Sequence, residues 1–189
     1  MIRFCDVFFS LLGLIVLSPI FVIIALCIVL DSRGGVFYRQ VRVGRVFKFR
    51  SMASGADKKG LITVGAKDSR VTRVGYFLRK YKLDELPQLL NVVRGEMSLV
   101  GPRPEVRKYV DMYTVEQRKV LAVVPGITDY ASIEYADENT ILGQASDPDR
   151  AYVEQIMPDK IRYNMKYIDN QCLKEYFKII FLTLMKIVK

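Results

Sequence analysis

The sequence predicts an α+β protein that is mostly helical and is held at a membrane by its N-terminal segment. Three observations predict this class. No charged side chain occurs from Val7 to Leu30, residues 36–52 carry the alternation of short strands, and apolar residues recur at helical spacing through most of the remaining chain. With 189 residues, the chain is long enough for one domain with its own core.

Composition and charge narrow the classes of partner. Hydrophobic residues make up 51% of the chain and charged residues 26%. Both proportions can be high in one chain because the apolar residues are concentrated near the N-terminus. The net charge of +9 suits anionic lipid, nucleic acid or a phosphorylated small molecule. Nucleic acid is the weaker interpretation, since the chain contains neither zinc-finger spacing nor an RNP aromatic motif. Six basic residues follow the apolar segment, as the positive-inside rule expects of a cytoplasmic flank: Arg33, Arg39, Arg42, Arg45, Lys48 and Arg50.

The residue types available for chemistry are restricted. Histidine is absent, which excludes a histidine base, a histidine nucleophile and the usual zinc sites. Cys5, Cys27 and Cys172 lie far apart and are interpreted as ordinary apolar residues, not as a disulfide framework or metal site. Acid–base or covalent chemistry would therefore use carboxylates, Lys, Tyr, Cys or Ser.

The N-terminal apolar segment is long enough to enter a bilayer, which requires about 20 apolar residues. It is too long for a typical signal-peptide core, and no small-residue cleavage site follows it. Pro19 predicts a kink in its middle, where Ser18 can donate to the carbonyl that proline frees. The helix could cross with a bend, or turn back at this pair with both ends cytoplasmic. The residues alone favour the crossing form, although Arg3 would be more stable inside.

The region after residue 32 predicts a small folded unit. Residues 36–52 predict two short strands that turn at Gly44–Arg45. Residues 54–69 predict a loop, and Ser69 is predicted to cap the helix that follows. The apolar positions of that helix have helical spacing: Val71, Val74, Leu78 and Tyr81.

Proline positions organise the middle of the chain. Because proline fits a helix only in its first turn, a helix containing Pro87 should begin near Asp84. Its predicted buried face consists of Leu86, Leu89, Leu90 and Val93. Pro102 and Pro104 are expected to hold Arg103 in a stiff, extended segment. Further helices are predicted over three ranges, the last of them amphipathic and able to lie in the membrane interface or pack on the domain: 105–121, 148–168 and 173–188.

Asp84 and Glu85 form the candidate site. The simple interpretation is a helix cap and a favourable first-turn charge. Arg79 and two lysines precede the pair, however, and Arg103 lies in a loop that could fold back onto it. Carboxylates beside several cations suit a site for a divalent metal and a phosphorylated substrate. A helix N-terminus would also lower the pKa of the Asp84 carboxyl and keep it ionised as a nucleophile or ligand.

Several short motifs occur in order along the chain: Ser18-Pro19, Phe37-Tyr38-Arg39-Gln40, Phe47-Lys48-Phe49-Arg50-Ser51-Met52, Leu83-Asp84-Glu85-Leu86-Pro87-Gln88-Leu89, the run from Gly95 to Pro104, and Pro125-Gly126-Ile127-Thr128. In this number and order they resemble the bacterial sugar transferases, which are small monotopic polyprenyl-phosphate phosphoglycosyl transferases. The resemblance covers the chain from about Arg3 to Ile127 and returns near the C-terminus.

The resemblance implies a reaction and a set of roles. It implies a nucleotide-diphosphosugar donor, usually uridine-based, a polyprenyl phosphate acceptor, Mg²⁺ and a covalent phosphosugar intermediate. Asp84 is implied as the nucleophile, and Glu85 as its partner in holding metal or moving protons. Both carboxylates would then be metal ligands. Lys48, Arg79 and Arg103 match basic positions that hold phosphates.

The same resemblance implies a membrane topology. Residues 1–32 would form a re-entrant, monotopic membrane helix broken at Ser18–Pro19, and residues 33–189 a small cytoplasmic catalytic domain with interfacial helices. This reverses the preference for a crossing helix and predicts a location at the cytoplasmic face of the bacterial inner membrane. The expected partners are the donor, the acceptor and membrane lipid, and nucleic acid is not among them. The sugar, the prenyl length and the oligomeric state, a homodimer included, stay open.

After Thr128 the chain departs from the family pattern. Many relatives continue with a glycine-aromatic stretch ending in Asn-Gly-Arg, and the arginine that contacts substrate there has no counterpart here. Asp129, Glu134 or Glu138 could meet an amino group on the sugar, although surface acids are the simpler interpretation. Two rival functions are an inert membrane protein that recruits glycan enzymes and a phosphatase acting on lipid carriers. The carboxylate pair beside the arginines argues against the inert protein.

Overall fold

A computed structural model of the chain describes residues 1–56 and 68–188. This part is mostly helical with two small two-stranded sheets, which confirms the predicted mostly helical class with a minor β component. The loop predicted over residues 54–69 falls mostly outside the described residues. The helices and strands are α1 Ile2–Asp31, β1 Phe37–Arg42, β2 Gly44–Phe49, α2 Arg73–Lys80, α3 Gln88–Arg94, β3 Ser98–Val100, α4 Arg107–Val110, β4 Gly126–Thr128, α5 Tyr130–Glu134, α6 Glu138–Gln144, α7 Pro148–Ala151, α8 Met157–Ile168 and α9 Leu173–Val188.

Helix α1 continues through the Ser18–Pro19 pair. Ser18 Oγ donates to Ile15 O over 2.8 Å, and this is the carbonyl that Pro19, lacking an N–H, leaves without its helical partner. The predicted compensation by serine is therefore present. Among the described residues, α1 is the one helix long and apolar enough to cross a membrane.

One face of α1 lies against the rest of the protein from its start to its end. Near its start, the Asp6 carboxylate accepts hydrogen bonds from the Ser98 hydroxyl and the Tyr176 phenol, each over 2.9 Å. At its end, the Asp31 carboxylate accepts a hydrogen bond from Val74 N over 3.0 Å. The other faces of α1 expose large apolar side chains along most of its length, and such a surface is typical of contact with lipid.

The predicted hairpin is present, but the predicted helix cap is wrong. Strands β1 and β2 pair antiparallel, and Gly44, with a φ of 105°, takes the turn between them. Helix α2 is capped by Thr72, whose Oγ1 accepts a hydrogen bond from Gly75 N over 2.9 Å, and not by Ser69. The reason is a bridge between Met52 and Val71, which keeps the chain extended until just before Thr72.

The helix predicted to begin near Asp84 begins later. Residues Leu83–Glu85 form a 3₁₀ turn, and α3 starts at Gln88, directly after Pro87. The predicted buried face is also only half-buried, whereas the buried residues of α3 are Gln88, Asn91 and Val92.

The buried side chain of Asn91 explains which face of α3 points inward. Its Oδ1 accepts a hydrogen bond from Phe47 N over 2.9 Å, and its Nδ2 donates to Arg45 O over 2.8 Å. These bonds join α3 to the edge of β2. The leucines of α3 turn instead toward α1, where Leu89 approaches Gly13.

The C-terminal half agrees in part with the predicted helices. The range 148–168 is helical throughout, as α7, a π turn and α8, and α9 confirms the last predicted helix. The helix predicted over 105–121 is broken into α4 and a 3₁₀ turn, because Thr114 and Gln117 cap each other through their side chains. The parallel pairing of β3 with β4 was not predicted.

Candidate active site

The Leu83–Glu85 turn places two carboxylates between β2 and the loop after β3. Lys82, with a φ of 56°, reverses the chain after α2. Glu85 Oε1 then accepts a hydrogen bond from Lys48 Nζ on β2 over 2.9 Å. Arg103 Nη2 donates to the same oxygen. The fold thus brings together three residues that are far apart in the sequence.

The loop that carries Arg103 is held rigidly by its neighbours. Gly101 and Gly126 lie so close that a Cβ added to Gly126 would be 2.1 Å from Gly101 N. The backbone N–H of Arg103 donates to Asp129 Oδ2 over 3.1 Å. Asp129 is 1% exposed and also accepts a hydrogen bond from Ser132 N, which caps α5. The stiff conformation predicted from the flanking prolines is therefore reinforced by a buried carboxylate.

Asp84 is the more isolated of the two carboxylates. It is 7% exposed, and within the described ranges no donor forms a hydrogen bond with it. Burial raises the pKa of the Asp84 carboxyl, and the charges of Lys48, Arg79 and Arg103 reduce this rise without cancelling it. The prediction that a helix N-terminus lowers this pKa is wrong, because Asp84 lies in a 3₁₀ turn before α3 and is shielded from water.

For the pKa of Glu85, the effect of neighbouring positive charges exceeds the effect of burial. Burial acts to raise its pKa, but the positive charges of Arg103 and Lys48 outweigh burial and hold the pKa of Glu85 far below its ordinary value. Burial lowers the pKa of Lys48, and Glu85 partly offsets this. Adjacent acids with pKa values pushed apart are typical of sites where the two groups have different tasks.

Arg79 completes the set of predicted residues. It lies half-buried in the last turn of α2, close enough for its charge to act on Asp84. All five predicted site residues therefore surround one position in the fold.

The carboxylate pair fits a magnesium ion. Mg²⁺ binds through one or two carboxylates, with substrate phosphates and water completing its shell. The oxygens of Asp84 accept no hydrogen bond from the described residues, and a cation beside them would favour the ionised form that burial disfavours. The described residues contain no cluster of three or more His, Cys, Asp or Glu side chains that could hold a metal ion. A bound ion would thus depend on phosphate or water for its remaining ligands.

The acids after Thr128 are not uniformly at the surface. Glu134 is exposed as the simpler interpretation expects, and Glu138 forms an ion pair with Lys160 at 2.8 Å. Asp129, in contrast, is buried and positions Arg103. The sequence gave one indication that Asp129 is structural, because an aspartate just before a helix is a common N-cap. Arg42, which forms an ion pair with Glu105 at 3.6 Å near Arg103, had no such signal.

Comparison with known proteins gives one family and several named relatives. The family model described as bacterial sugar transferase matches residues 1–189. The UDP-N-acetylgalactosamine-undecaprenyl-phosphate N-acetylgalactosaminephosphotransferase of Aeromonas hydrophila is 35% identical over 98% of this chain and 43% of its own length. The UDP-glucose:undecaprenyl-phosphate glucose-1-phosphate transferase of Klebsiella pneumoniae is 39% identical over 97% of this chain and 39% of its own length. The undecaprenyl-phosphate glucose phosphotransferase of Komagataeibacter xylinus is 42% identical over 69% of this chain and 27% of its own length. The chain therefore spans less than half the length of each of these relatives.

Proposed function

The chain belongs to the bacterial sugar transferase family, and on this premise we propose that it moves a sugar 1-phosphate from a nucleotide-diphosphosugar to polyprenyl phosphate. UDP is the proposed nucleotide, and the reaction would start assembly of a bacterial glycan on its lipid carrier. The names of the three relatives support the acceptor, since each contains undecaprenyl phosphate, and two of them name a UDP-sugar.

One observation carries the proposal: Asp84 is a buried carboxylate that has no hydrogen-bond donor among the described residues, and it lies beside three cations. A buried acid left in this state destabilises a protein, so its presence favours a use in binding or reaction. The surrounding cations suit a ligand that carries several negative charges. A nucleotide-diphosphosugar is such a ligand.

Asp84 is proposed as the nucleophile of the first step. One of its oxygens attacks the sugar-linked phosphorus, a P–O bond forms to the carboxylate, and the P–O bond to the nucleoside monophosphate breaks. Lys48, Arg79 and Arg103 stabilise the charge on the phosphate oxygens during this displacement. Because none of the described residues donates to the carboxylate, no hydrogen bond to them has to be broken before it attacks.

The second step returns the enzyme to its starting state. An oxygen of polyprenyl phosphate attacks the same phosphorus, the P–O bond to Asp84 breaks, and the polyprenyl diphosphosugar leaves. A covalent route of this kind divides one displacement into two easier ones. Glu85 stays ionised throughout and orients Lys48 and Arg103. Mg²⁺ bound by Asp84 and Glu85 would neutralise charge on the phosphates.

We further propose that α1 enters and leaves the cytoplasmic leaflet of the inner membrane on the same side. The supporting contacts are those at its two ends, since Asp6 bonds to Ser98 and Tyr176 while Asp31 bonds to Val74. A helix that crossed would separate its ends by about 30 Å of hydrocarbon. The domain could then contact only one end of α1 from the cytoplasmic side. Ser18–Pro19, which lies inside the continuous helix, is the proposed point at which α1 bends in the membrane.

The test uses purified protein with a panel of UDP-sugars and Mg²⁺, first without acceptor. We expect a burst of UMP limited by the amount of enzyme, a phosphosugar adduct on the peptide containing Asp84, and its release when polyprenyl phosphate is added. Asp84→Asn should abolish burst and turnover, whereas the exposed control Asp137→Asn should retain both. UMP release that always requires both substrates, without an adduct, would replace the covalent route by direct transfer. Release of free phosphate would instead indicate a phosphatase.

A further inference from the structure

The turn of the β1–β2 hairpin is hydrogen-bonded to the loop after β3, residues 101–106. Arg42, the last residue of β1, donates from Nη1 to Pro104 O over 2.8 Å. Next to it, Val43 N donates to Glu105 O over 2.9 Å. Two neighbouring carbonyls of the loop are therefore held by two neighbouring residues of the hairpin.

The hairpin and the loop each carry one cation of the candidate active site. Lys48 lies on β2, and Arg103 directly precedes Pro104 in the loop. Both donate to the same oxygen of Glu85. Because the two donors come from separate elements, they can meet at one atom only if the hairpin and the loop keep a fixed relative position. The hydrogen bond from Arg42 to Pro104 O joins the two elements next to that atom.

The side chain of Arg42 is itself held by Glu105 and Tyr152. Arg42 Nη1 forms an ion pair with Glu105 Oε1 at 3.6 Å, and the Tyr152 hydroxyl donates to Glu105 Oε2. Tyr152 is 4% exposed and is the first residue of the π turn Tyr152–Ile156. Such turns are rare and occur frequently at functional sites. A chain of contacts thus leads from the buried tyrosine through Glu105 and Arg42 to the loop that carries Arg103.

The position of Arg42 favours a role in the site over a purely structural one. Arg50, a buried arginine of the same region, donates from Nε and from both Nη atoms to the segment that follows α1. Arg42, in contrast, donates to the described residues from Nη1 alone. Its charge also acts on Lys48, and the charge of Arg103 acts on it. Arg42 therefore lies within the electrostatic range of both cations that meet at the carboxylate.

We propose that Arg42 is a positioning residue for Arg103: through Pro104 O it fixes the loop so that Arg103 and Lys48 approach a bound phosphate together. This inference rests on the proposed function and adds a residue that acts on the reaction through another side chain. Displacing a group in an active site by about 1 Å can slow a reaction about 10²-fold. Loss of Arg42 should therefore slow phosphoryl transfer although Arg103 is still present.

The test is a double-mutant cycle on the single-turnover rate of UMP release, measured with polyprenyl phosphate, Mg²⁺ and the UDP-sugar that gives most UMP in the panel. We expect Arg42→Ala to slow release about 10–10²-fold. In the Arg103→Ala background it should slow release by less than about threefold further, because residues that act through one another are not additive. Arg42→Lys should recover most of the rate, since one ammonium can replace the single nitrogen that Arg42 uses. The exposed control Arg150→Ala should leave the rate unchanged.

Two further measurements separate positioning from loss of structure. Hydrogen exchange at the amides of Arg103 and Val106 should be faster in Arg42→Ala, whereas α8 should keep its protection. Tyr152→Phe removes only the hydroxyl that donates to Glu105. It should change the rate and the exchange in the same direction by smaller factors, and it replaces Arg42→Ala if that variant does not fold.

Two results would overturn the inference while leaving the proposed function intact. The first is a rate within about twofold of the wild type in folded Arg42→Ala, against the loss of about 10–10²-fold that positioning predicts. The second is the same large loss in the Arg103→Ala background, which would mean that Arg42 contacts the substrate itself or serves only the fold. If the wild type releases no UMP from any UDP-sugar, the proposed function fails, and the inference falls with it.

Discussion

Neutralising the two adjacent carboxylates should change stability in opposite directions. Glu85→Gln removes the negative charge that balances Lys48 and Arg103, whose side chains are only 15% and 28% exposed. Asp84→Asn removes a charge that burial disfavours and that no described donor stabilises. The first variant should therefore unfold more easily than the wild type, and the second less easily.

The size of the Glu85 effect follows from the cost of an uncompensated buried charge. Removing one partner of a buried ion pair costs about 3–5 kcal/mol. The glutamine carbonyl can still accept one hydrogen bond. We therefore expect a loss of stability at the lower end of this range, about 3 kcal/mol. For a chain of this length, each kcal/mol shifts the melting temperature by about 2–4 °C, so Glu85→Gln should melt roughly 6–12 °C lower. Asp84→Asn should melt above the wild type.

The pH dependence fixes the sign of both effects. The pKa of Glu85 is lowered by folding, so its contribution is present above the unfolded-state pKa of about 4.3 and is lost as the pH falls toward the folded-state value. The pKa of Asp84 is raised by folding, so its ionised form costs stability as the pH rises above about 3.9. Both differences from the wild type should therefore be larger at pH 7 than at pH 4.

The assay is thermal unfolding in nanodiscs with chelator present, so that bound metal does not compensate Asp84. Glu134→Gln, at an exposed position, is the matched control and should stay within about 0.5 kcal/mol of the wild type. A Glu85→Gln variant as stable as the wild type would refute the assigned ion-pair network. An Asp84→Asn variant that melts below the wild type would refute the argument that Asp84 is uncompensated.

Further predictions concern chemistry, packing and topology. Arg103→Ala should slow single turnover by about 10²–10³, and near-normal turnover in folded protein would remove its phosphate-binding role. Gly126→Ala should destabilise the protein by about 1–3 kcal/mol because its Cβ would meet backbone at 2.1 Å, whereas Gly35→Ala has its nearest contact at 3.8 Å and serves as the control in denaturant unfolding. Pro19→Ala should let some molecules cross the membrane, which periplasmic labelling of an added N-terminal cysteine would detect; such labelling in the wild type would contradict the re-entrant helix.

Long periodic elements were predictable from the sequence because their signal is local. Helix α1 follows from an uninterrupted apolar run, and α8 and α9 follow from helical spacing. The pairing of β3 with β4 joins three-residue strands that are distant in the chain, and such short segments carry no distinctive pattern. The cap at Thr72 was missed because a long-range bridge, not local propensity, sets where α2 begins.

The candidate site was predictable as a group of residues, but its electrostatics were not. Motif order identified Asp84, Glu85 and Arg103 as one group, and the fold brings them together. The direction of the pKa shift of Asp84 depends on burial, which spacing does not reveal. That Asn164 Oδ1 lacks a hydrogen-bond partner among the described residues likewise depends on which side chains surround it in three dimensions.

The difference between paired and unpaired polar groups indicates where ligands complete this structure. Asp129 and Asn91 are almost fully buried, and each accepts or donates at least two hydrogen bonds, so both serve the fold with their polar capacity used. Asp84 and Asn164 are nearly as buried, yet neither has a hydrogen-bond partner among the described residues. Arg103, Lys48 and Arg79 act on Asp84 by their charge alone. A divalent cation bound beside Asp84 would compensate a carboxylate that receives no hydrogen bond from the described residues, and such binding should raise the melting temperature of the wild type more than that of Asp84→Asn.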